Sequence, residues 1–192
     1  MAGALAEQIE LLREFDGTAL IEGRPAWANW DSGAWPVTHD PIFDFSNSVP
    51  GYEWLDSMAD DAAAELRNLD EYPPVVGHSD WVWQNVCVRD GEFVAGYDWD
   101  SLVFAPECAI VGLVAGSFTQ GPGIVPHDPT NAEVAEFIAD YPKEFDAAER
   151  SGAFAAATWV RCYNARCHLD NRERRGMIPP PGSALEQLSA GR

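Results

Sequence analysis

The sequence predicts an α+β fold that is mainly helical and forms a single domain of 192 residues. Two observations lead to this prediction. Apolar residues recur at helical spacing through most of the chain, whereas the strongest strand and turn signals are concentrated around Asp90-Gly91. Hydrophobic residues make up 46% of the chain, which is enough for a real core at this length.

The N-terminal part is predicted to hold two helices separated by an irregular segment. Residues 1–22 contain a helix over positions 2–15, with an apolar stripe of Leu5, Ile9, Leu12 and Phe15. Residues 23–50 carry four prolines and three tryptophans, and we expect this long segment to wrap around the core. Residues 51–77 are predicted to form a helix over 51–69 and a lead-in strand. The inward side of that helix consists of Trp54, Leu55, Met58, Ala62, Leu66 and Leu69.

Residues 78–100 are predicted to form a loop followed by a β-hairpin. Asp90-Gly91 indicates a type I′ turn, because both central residues of such a turn need positive φ. The predicted pairs are Arg89–Glu92, Val88–Phe93, Val86–Ala95 and Asn85–Gly96. Side chains alternate along a strand, so one face is apolar and consists of Val86, Val88, Phe93, Ala95 and Tyr97. The other face holds Asn85, Gly96 and Asp98, where the missing side chain of Gly96 leaves room for its two neighbours to converge.

Residues 101–192 are predicted to be helical. A buried helix is expected over 106–118, beginning at Pro106. Thr130 and Glu133 form a capping box that opens a helix ending before Pro142. A long Ala-rich helix is expected from 146 to about 174, and Ser183 is expected to cap a short last helix. The long helix is expected to bury Phe154, Trp159, Cys162 and Tyr163 and to end near the basic residues Arg172, Arg174 and Arg175.

The polar residues of the 78–100 segment have the composition of a magnesium-assisted phosphoryl-transfer site. Asn85 and Asp98 supply oxygen atoms, which Mg²⁺ prefers, with phosphate and water completing its shell. Asp80 lies on the loop, where its carboxylate can accept a proton from a substrate hydroxyl. His78 is expected to order this loop through hydrogen bonds, and Trp81 and Trp83 are expected to pack.

The stretches HSDWVWQNV and VAGYDWD resemble the aminoglycoside phosphotransferase family, which is related to choline kinases and protein kinases. The resemblance implies a catalytic base at Asp80 and metal ligands at Asn85 and Asp98, with His78 and Asp100 in supporting positions. It covers about 25 residues closely, and Ser79 replaces the usual glycine. It also implies that most of the chain is the C-terminal lobe of a protein-kinase-like fold.

The parts that hold a nucleotide in that family are not found in the sequence. The chain has neither G-x-G-x-x-G nor G-x-x-x-x-G-K-[ST], and its one lysine, Lys143, lies far downstream in a segment expected to be a surface helix. Arg13 and Arg24 fall in a helix and a loop rather than in strands. We therefore expect the N-terminal nucleotide-binding sheet to be absent, with ATP or GTP as cosubstrate only where another polypeptide supplies that lobe.

Charge and composition restrict the partners. The net charge of −19 argues against nucleic acid and favours a cationic small-molecule substrate. The sequence has no apolar run long enough for a membrane span and no signal peptide, and its four cysteines lack a disulfide-scaffold spacing, which indicates a cytoplasmic protein. A zinc site at Cys162, Cys167 and His168 is disfavoured because positions five apart do not share a helix face well.

Three functions remain open from the sequence. The first is a phosphotransferase lobe that acts on a small-molecule hydroxyl, with an aminoglycoside, another antibiotic, an amino alcohol or a peptide as acceptor. The second is a noncatalytic relative that binds a ligand or a partner protein. The third is a metal hydrolase that uses His78, Asp80 and Asp98. A homodimer or a partner polypeptide is expected to cover the surface where the nucleotide lobe would sit.

Overall fold

The computed structural model describes residues 1–22, 24–31, 35–38, 40–120 and 127–191. Parts of the predicted irregular segment (23, 32–34 and 39) and of the predicted helical region (121–126 and 192) lie outside the described residues. The predicted α+β class is confirmed, with about half of the chain helical and two small antiparallel sheets. The helices are α1 Ala2–Leu11, α2 Glu53–Arg67, α3 Glu107–Ala115, α4 Asn131–Ala139, α5 Ala147–Arg175 and α6 Ala184–Ala190. The strands are β1 Pro74–His78, β2 Val86–Arg89, β3 Glu92–Gly96 and β4 Leu102–Pro106.

The core is organised around helices α3 and α5. Every residue of α3 is buried, because the helix is surrounded by other elements rather than lying on the surface. Gly112 and Gly116 allow close approach, since a Cβ at Gly112 would clash with the carbonyl oxygen of Ala153 and one at Gly116 with Val160. Among the described residues no helix is both long and apolar enough to cross a membrane.

Helix α1 is shorter than predicted. Leu5 and Ile9 are fully buried as expected, but the helix ends at Leu11 and the side chain of Phe15 is 59% exposed. The chain turns away because the Asp16 carboxylate accepts a hydrogen bond from the backbone N–H of Thr18 at 3.1 Å. Gly17 then lies so close to the β1–β4 sheet that a Cβ would clash with Phe104. The prediction that Phe15 continues the apolar stripe of this helix is therefore wrong.

Strands β1 and β4 form an antiparallel sheet, from Pro74 opposite Pro106 to His78 opposite Leu102. The predicted lead-in strand is confirmed as β1. Its partner β4 was not predicted, since residues 101–192 were expected to be helical and the helix to begin at Pro106. Burial instead alternates along β4, and α3 starts at Glu107 with Pro106 as its N-cap. Residues 102–106 have the period-two burial of a strand that is covered on one face.

The β2–β3 hairpin has the predicted turn but a different register. Asp90 and Gly91 have φ of 55° and 89°, as a type I′ turn requires. The pairs Arg89–Glu92 and Val88–Phe93 are confirmed. A bulge beyond them places Ala95 opposite Cys87 and Gly96 opposite Val86, so the predicted pairs Val86–Ala95 and Asn85–Gly96 are wrong.

The bulge also divides the predicted apolar face of the hairpin. Val94 is the unpaired residue and its side chain is 51% exposed. Val86 and Phe93 pack against the core, whereas Val88 and Tyr97 are exposed. Because an extra residue in one strand reverses the facing of those that follow, a single apolar face does not persist along the ribbon.

The described parts of the irregular segment pack on α5. A short 3₁₀ helix over Ala26–Ala28 buries both of its alanines, and the backbone oxygen of Trp27 accepts a hydrogen bond from Trp159 Nε1 at 2.8 Å. Further along, Arg166 donates from Nη2 to the backbone oxygens of Asp44 at 3.2 Å and Asn47 at 3.0 Å. These contacts hold the segment against α5.

The C-terminal helices begin where their caps predict. The Thr130–Glu133 capping box opens α4, Asp146 and Glu149 form a second capping box at α5, and the Ser183 side chain caps α6. Trp159, Cys162 and Tyr163 are buried as predicted, but Phe154 is 40% exposed. Lys143 lies in the turn between α4 and α5, not in a helix, and forms ion pairs with Glu107 and Glu149.

Candidate functional site

His78 joins the loop after β1 to the end of β3. Its side chain is fully buried, and its Nε2 lies 2.8 Å from the backbone oxygen of Tyr97. The backbone N–H of Asp80 donates to His78 Nδ1 at 3.2 Å. With Nδ1 as the acceptor of this bond, Nε2 is the ring nitrogen that donates to the Tyr97 carbonyl. His78 therefore orders the loop, as expected, and fixes Asp80 relative to the residue before Asp98.

Asn85 contacts Asp80 directly. Its side-chain nitrogen Nδ2 donates to the backbone oxygen of Asp80 at 2.9 Å and to the carboxylate oxygen Oδ2 at 3.0 Å. The side chain of Asn85 is buried, so these bonds orient the Asp80 carboxylate. Both bonds use the amide nitrogen. The amide oxygen, which is the atom that a cation needs, takes part in neither of them.

Asp98 has a strained backbone conformation at the base of the hairpin. The Tyr97 N–H donates to the Asn85 oxygen at 2.8 Å, and the next residue, Asp98, has φ 62° and ψ 51°. This left-handed conformation is unfavourable for residues with a side chain, although aspartate tolerates it better than most. A 3₁₀ helix over Trp99–Ser101 follows. The direction of the Asp98 side chain is therefore set by this turn and not by strand alternation, and Gly96 is not what makes room for it.

The sequence-based view that Gly96 leaves room for Asn85 and Asp98 is also wrong for a second reason. A Cβ at this position would lie 3.5 Å from Trp99, 3.6 Å from Phe93 and 3.8 Å from Trp81, all ordinary contacts. The side chain that glycine lacks would thus point among aromatic rings. The sequence argument that Gly96 leaves room for Asn85 and Asp98 to converge therefore has no structural basis.

Three carboxylates meet in one cleft beside the hairpin. The cleft has a volume of about 390 Å³ and is lined by Asp80, Asp98, Asp100 and Ser101 together with residues from the N-terminal segment. The structure thus brings together Asp80, Asp98 and Asp100, and Asn85 reaches this group through its hydrogen bond to Asp80. Asp80 thus contacts both the cleft, which it lines, and the side chain of Asn85, which is not among the lining residues.

The carboxylates of this group perturb one another. Burial raises the pKa of the Asp80 carboxyl above its usual range, and the negative charges of Asp98 and Asp100 add to this effect. The hydrogen bond that protonated Asp98 donates to the Asp100 carboxylate raises the pKa of Asp98, with its partial desolvation and the charge of Asp100 as further causes. Acids that repel one another in this way favour a proton or a cation between them.

Two residues of the site were missed by sequence reasoning. Arg24 and Trp27 line the same cleft, although they lie more than fifty residues before Asp80 in the chain. Trp27 Nε1 donates to Ser79 Oγ at 3.1 Å, and Ser79 Oγ donates to the backbone oxygen of Ser101 at 2.8 Å. Ser79 replaces the glycine of the pattern that this segment resembles. Through these two bonds it connects the loop after β1 to the segment of Trp27 and to the segment of Ser101. The tryptophan-rich composition of residues 23–50 is the signal that could have indicated this role.

Two further cavities, a second and a third, share lining residues with the cleft or with each other. The second, of about 190 Å³, shares Trp27 and Asp80 with the cleft and extends to Gln120 and Asn164. The third, of about 340 Å³, shares Gln120 and Asn164 with the second and is lined by His127, Asp128 and His168 among others. Burial alone would raise the pKa of Asp128, but hydrogen bonds from His168 and the Ala184 N–H lower it, so this carboxylate is ionised.

The structure gives no support to a zinc site or to a hydrolase that uses His78. Burial raises the pKa of Cys162 and of Cys167 to about 12, so both are protonated thiols, and His168 lies 3.6 Å from Asp128. Both ring nitrogens of His78 are used in hydrogen bonds, so neither is left for a metal. Among the described residues no three His, Cys, Asp or Glu side chains form a preformed metal cluster. Mg²⁺ sites in phosphotransferases use one or two carboxylates completed by phosphate and water, and do not require such a cluster.

Comparison of the chain with protein-family models, with curated proteins and with solved structures yields no match. The resemblance to the aminoglycoside phosphotransferase family therefore rests on the residues of the 78–100 segment alone.

Proposed function

We propose that this chain is the catalytic lobe of a Mg²⁺-dependent phosphotransferase that acts on a small-molecule hydroxyl, similar to aminoglycoside phosphotransferases and choline kinases. One observation carries the proposal. Asp80 and Asp98 face one cleft, and His78 fixes them by bonding to Asp80 N–H and to the carbonyl that precedes Asp98. The carboxylates of a sequence pattern thus line one cleft, which supports the proposal.

The residues of the cleft suit separate steps of phosphoryl transfer. Asp80 orients the acceptor hydroxyl and accepts its proton, and its raised pKa moves the carboxylate towards the basicity that such a role needs. Asp98 would hold Mg²⁺, with the amide oxygen of Asn85 as the second ligand that the resemblance implies, and the ion would neutralise charge on the transferred group. ATP or GTP serves as donor where another polypeptide supplies the lobe that would hold the nucleoside, whereas the polyphosphate end would contact the cleft of this chain.

The cavities beyond Asp80 provide space for the acceptor. They extend from Asp80 to Asp128, whose carboxylate is ionised. Together with the net charge of −19, this arrangement favours a cationic small molecule over an anionic one. The acceptor would place its hydroxyl at Asp80 and its positive charge deeper in the cavities.

An unusual set of exposed aromatic and aliphatic side chains surrounds the hairpin. These exposed residues are Trp83, Val88, Val94, Tyr97 and Trp99. Apolar surface of this kind is normally covered, and a second copy of the chain or the polypeptide that supplies the nucleotide lobe would cover it. A strictly monomeric chain in light scattering at high concentration would count against the second copy.

Manganese binding tests the proposed metal site. Mn²⁺ prefers the same oxygen ligands as Mg²⁺ and is detected by electron paramagnetic resonance. We expect D98N to weaken Mn²⁺ binding at least tenfold, because it removes the charged ligand. Asp90→Asn is the matched control, since it removes one carboxylate at the far end of the same hairpin and should bind as the wild type does. Equal binding by the wild type and D98N would refute the proposed function.

A noncatalytic binding module is the second candidate, and the position of Lys143 favours it. Both of its ion pairs, with Glu107 at 3.2 Å and Glu149 at 3.0 Å, are formed at the turn between α4 and α5. Among the described residues that line the cleft there is no lysine to grip nucleotide phosphates. Calorimetric titration with Mg²⁺-ATP separates the two candidates, because clear binding by the isolated chain would argue against a purely noncatalytic module.

A further inference from the structure

One basic side chain lies in the acidic cleft. Arg24 lines it together with Asp80, Asp98 and Asp100, and among the described lining residues it is the basic one. Its side chain is only 12% exposed. A guanidinium in this position is in the same space as the catalytic and metal-binding carboxylates of the proposed site.

The conformation of Arg24 is determined by its surroundings. Its guanidinium carbon lies 5.1 Å from the ring centroid of Trp30, and Nη1 donates to Asp31 Oδ2 at 3.1 Å. Pro25 follows it and restricts its backbone to extended conformations. The neighbouring Trp27 bonds to Ser79 in the catalytic loop. The arginine is thus held by a packed segment that is attached to the loop carrying Asp80.

The hydrogen-bonding capacity of Arg24 is largely unused. Within the described residues its guanidinium forms an ion pair with Asp31, whose side chain is 60% exposed, and none with the cleft carboxylates. Its Nε is buried without a hydrogen-bond partner among them. An exposed partner at the rim contributes little and is weakened by solvent. The positive charge of Arg24 therefore remains available to an anion in the cleft.

We propose that Arg24 binds the phosphate oxygens of the Mg²⁺-bound polyphosphate donor. This inference rests on the proposed function. Arg24, which lies in the irregular segment, would provide the positive charge that no lysine provides among the described residues of the cleft. A polyphosphate that enters a cleft with three carboxylates is repelled unless cations compensate. Mg²⁺ held at Asp98 supplies one cation, and Arg24, with its planar fork of N–H donors matched to phosphate oxygens, supplies the second.

Calorimetry with Mg²⁺ and inorganic tripolyphosphate tests the inference on the full chain. We expect Arg24→Gln to weaken tripolyphosphate binding about tenfold to a hundredfold, the range of a charge-assisted contact. Mn²⁺ binding without phosphate should be unchanged or tighter, because the substitution removes a nearby positive charge. Arg24→Lys should fall between the wild type and Arg24→Gln.

Two controls separate anion binding from a structural role. Arg13→Gln removes the same charge from an ion pair with Glu10, on the surface beyond α1, and should leave tripolyphosphate affinity unchanged. Asp31→Asn releases Arg24 from its ion pair and should keep or raise that affinity. A loss with Asp31→Asn as large as the loss with Arg24→Gln would show that the pair acts structurally and would overturn the inference.

The remaining outcomes distinguish the inference from the function on which it rests. If D98N abolishes Mn²⁺ binding but Arg24→Gln binds tripolyphosphate as the wild type does, the role of Arg24 is refuted and the metal site stands. If the wild type binds neither Mn²⁺ nor Mg²⁺-tripolyphosphate, both proposals fall.

Discussion

The two ends of the β2–β3 hairpin each hold an aspartate with a left-handed backbone, for different reasons. At the tip, Asp90 has φ 55° and is followed by Gly91 in a two-residue turn. At the base, Asp98 has φ 62° and stands alone between a strand and a 3₁₀ helix. The two-residue turn requires a left-handed residue at Asp90, whereas no local turn motif requires one at Asp98.

The base of the hairpin is held by contacts between distant parts of the chain. His78 bonds to the Tyr97 carbonyl, and the Tyr97 N–H bonds to Asn85. At the tip, Asp90 and Gly91 are exposed, and the nearest such contact is the hydrogen bond that the Phe93 N–H donates to Glu7 Oε2 at 3.2 Å among the described residues. Backbone strain that persists only because its surroundings impose it is concentrated at functional sites. The comparison therefore supports the proposal that the base of the hairpin is a functional site, whereas the tip reverses the chain direction.

The largest expected effect is produced by removing the support at the base. His78→Ala leaves the Tyr97 carbonyl and the Asp80 N–H without partners and creates a cavity in a fully buried position. We expect the free energy of unfolding to fall by about 3 kcal/mol, with Mn²⁺ affinity lost as well. Urea denaturation measures the change, and a loss below about 1 kcal/mol would show that His78 does not hold the base together.

A matched pair of substitutions sharpens the comparison. Asp98→Asn removes one of three clustered carboxylates while keeping a residue that tolerates the left-handed conformation. We expect it to raise the free energy of unfolding by up to about 1 kcal/mol, a range limited by solvent screening of exposed charges. Asp90→Asn should change stability by less than about 0.5 kcal/mol. A destabilised D98N would mean that the carboxylate serves the fold rather than a ligand.

The pH dependence of that stability difference has a defined sign. The folded-state pKa values of Asp80 and Asp98 are raised, so the folded protein binds these protons more tightly than the unfolded chain does. The resulting stabilisation is fully present below the ordinary aspartate pKa of about 3.9 and is lost as the pH rises through the raised values. The gain in the free energy of unfolding of D98N over the wild type should thus be largest at pH 7 and vanish below the ordinary aspartate pKa of about 3.9. Chemical denaturation across the pH range checks this expectation, which a constant advantage would contradict.

The smallest expected effect concerns Gly96. An added Cβ would make ordinary contacts with Trp99, Phe93 and Trp81, so Gly96→Ala should change stability by less than about 0.5 kcal/mol and leave Mn²⁺ binding intact. Thermal unfolding and the same manganese titration measure both quantities. Loss of Mn²⁺ binding would restore the sequence-based view that this glycine makes room for the site.

Features that depend on a few neighbouring residues were predicted well from the sequence. The Asp90-Gly91 turn, the Thr130–Glu133 capping box and the Ser183 cap are all present, because each is a local exchange of backbone hydrogen bonds. Asp80 and Asn85, five residues apart in the chain, are joined by a hydrogen bond at 3.0 Å.

Features that depend on contacts across the chain were not predicted. Strand β4 forms because β1 offers a partner more than twenty residues earlier, and the bulge at Val94 cannot be read from local alternation. Arg24 was assigned correctly to a loop, but its place in the cleft follows from the bond between Trp27 and Ser79. These features are determined by tertiary contacts, which the alternation and propensity of single segments do not reveal.

Paramagnetic broadening by Mn²⁺ in ¹⁵N-labelled protein tests the central claim most directly, because it reports which residues lie around the ion. We predict that substoichiometric Mn²⁺ broadens the amide signals of Asp80 and Asp98 and the side-chain amide of Asn85 first, while Asp90 and Gly91 at the hairpin tip stay sharp. Broadening that begins at the tip, or that spreads evenly over acidic surface residues such as Asp60 and Asp61, would contradict a metal site at the base of the hairpin.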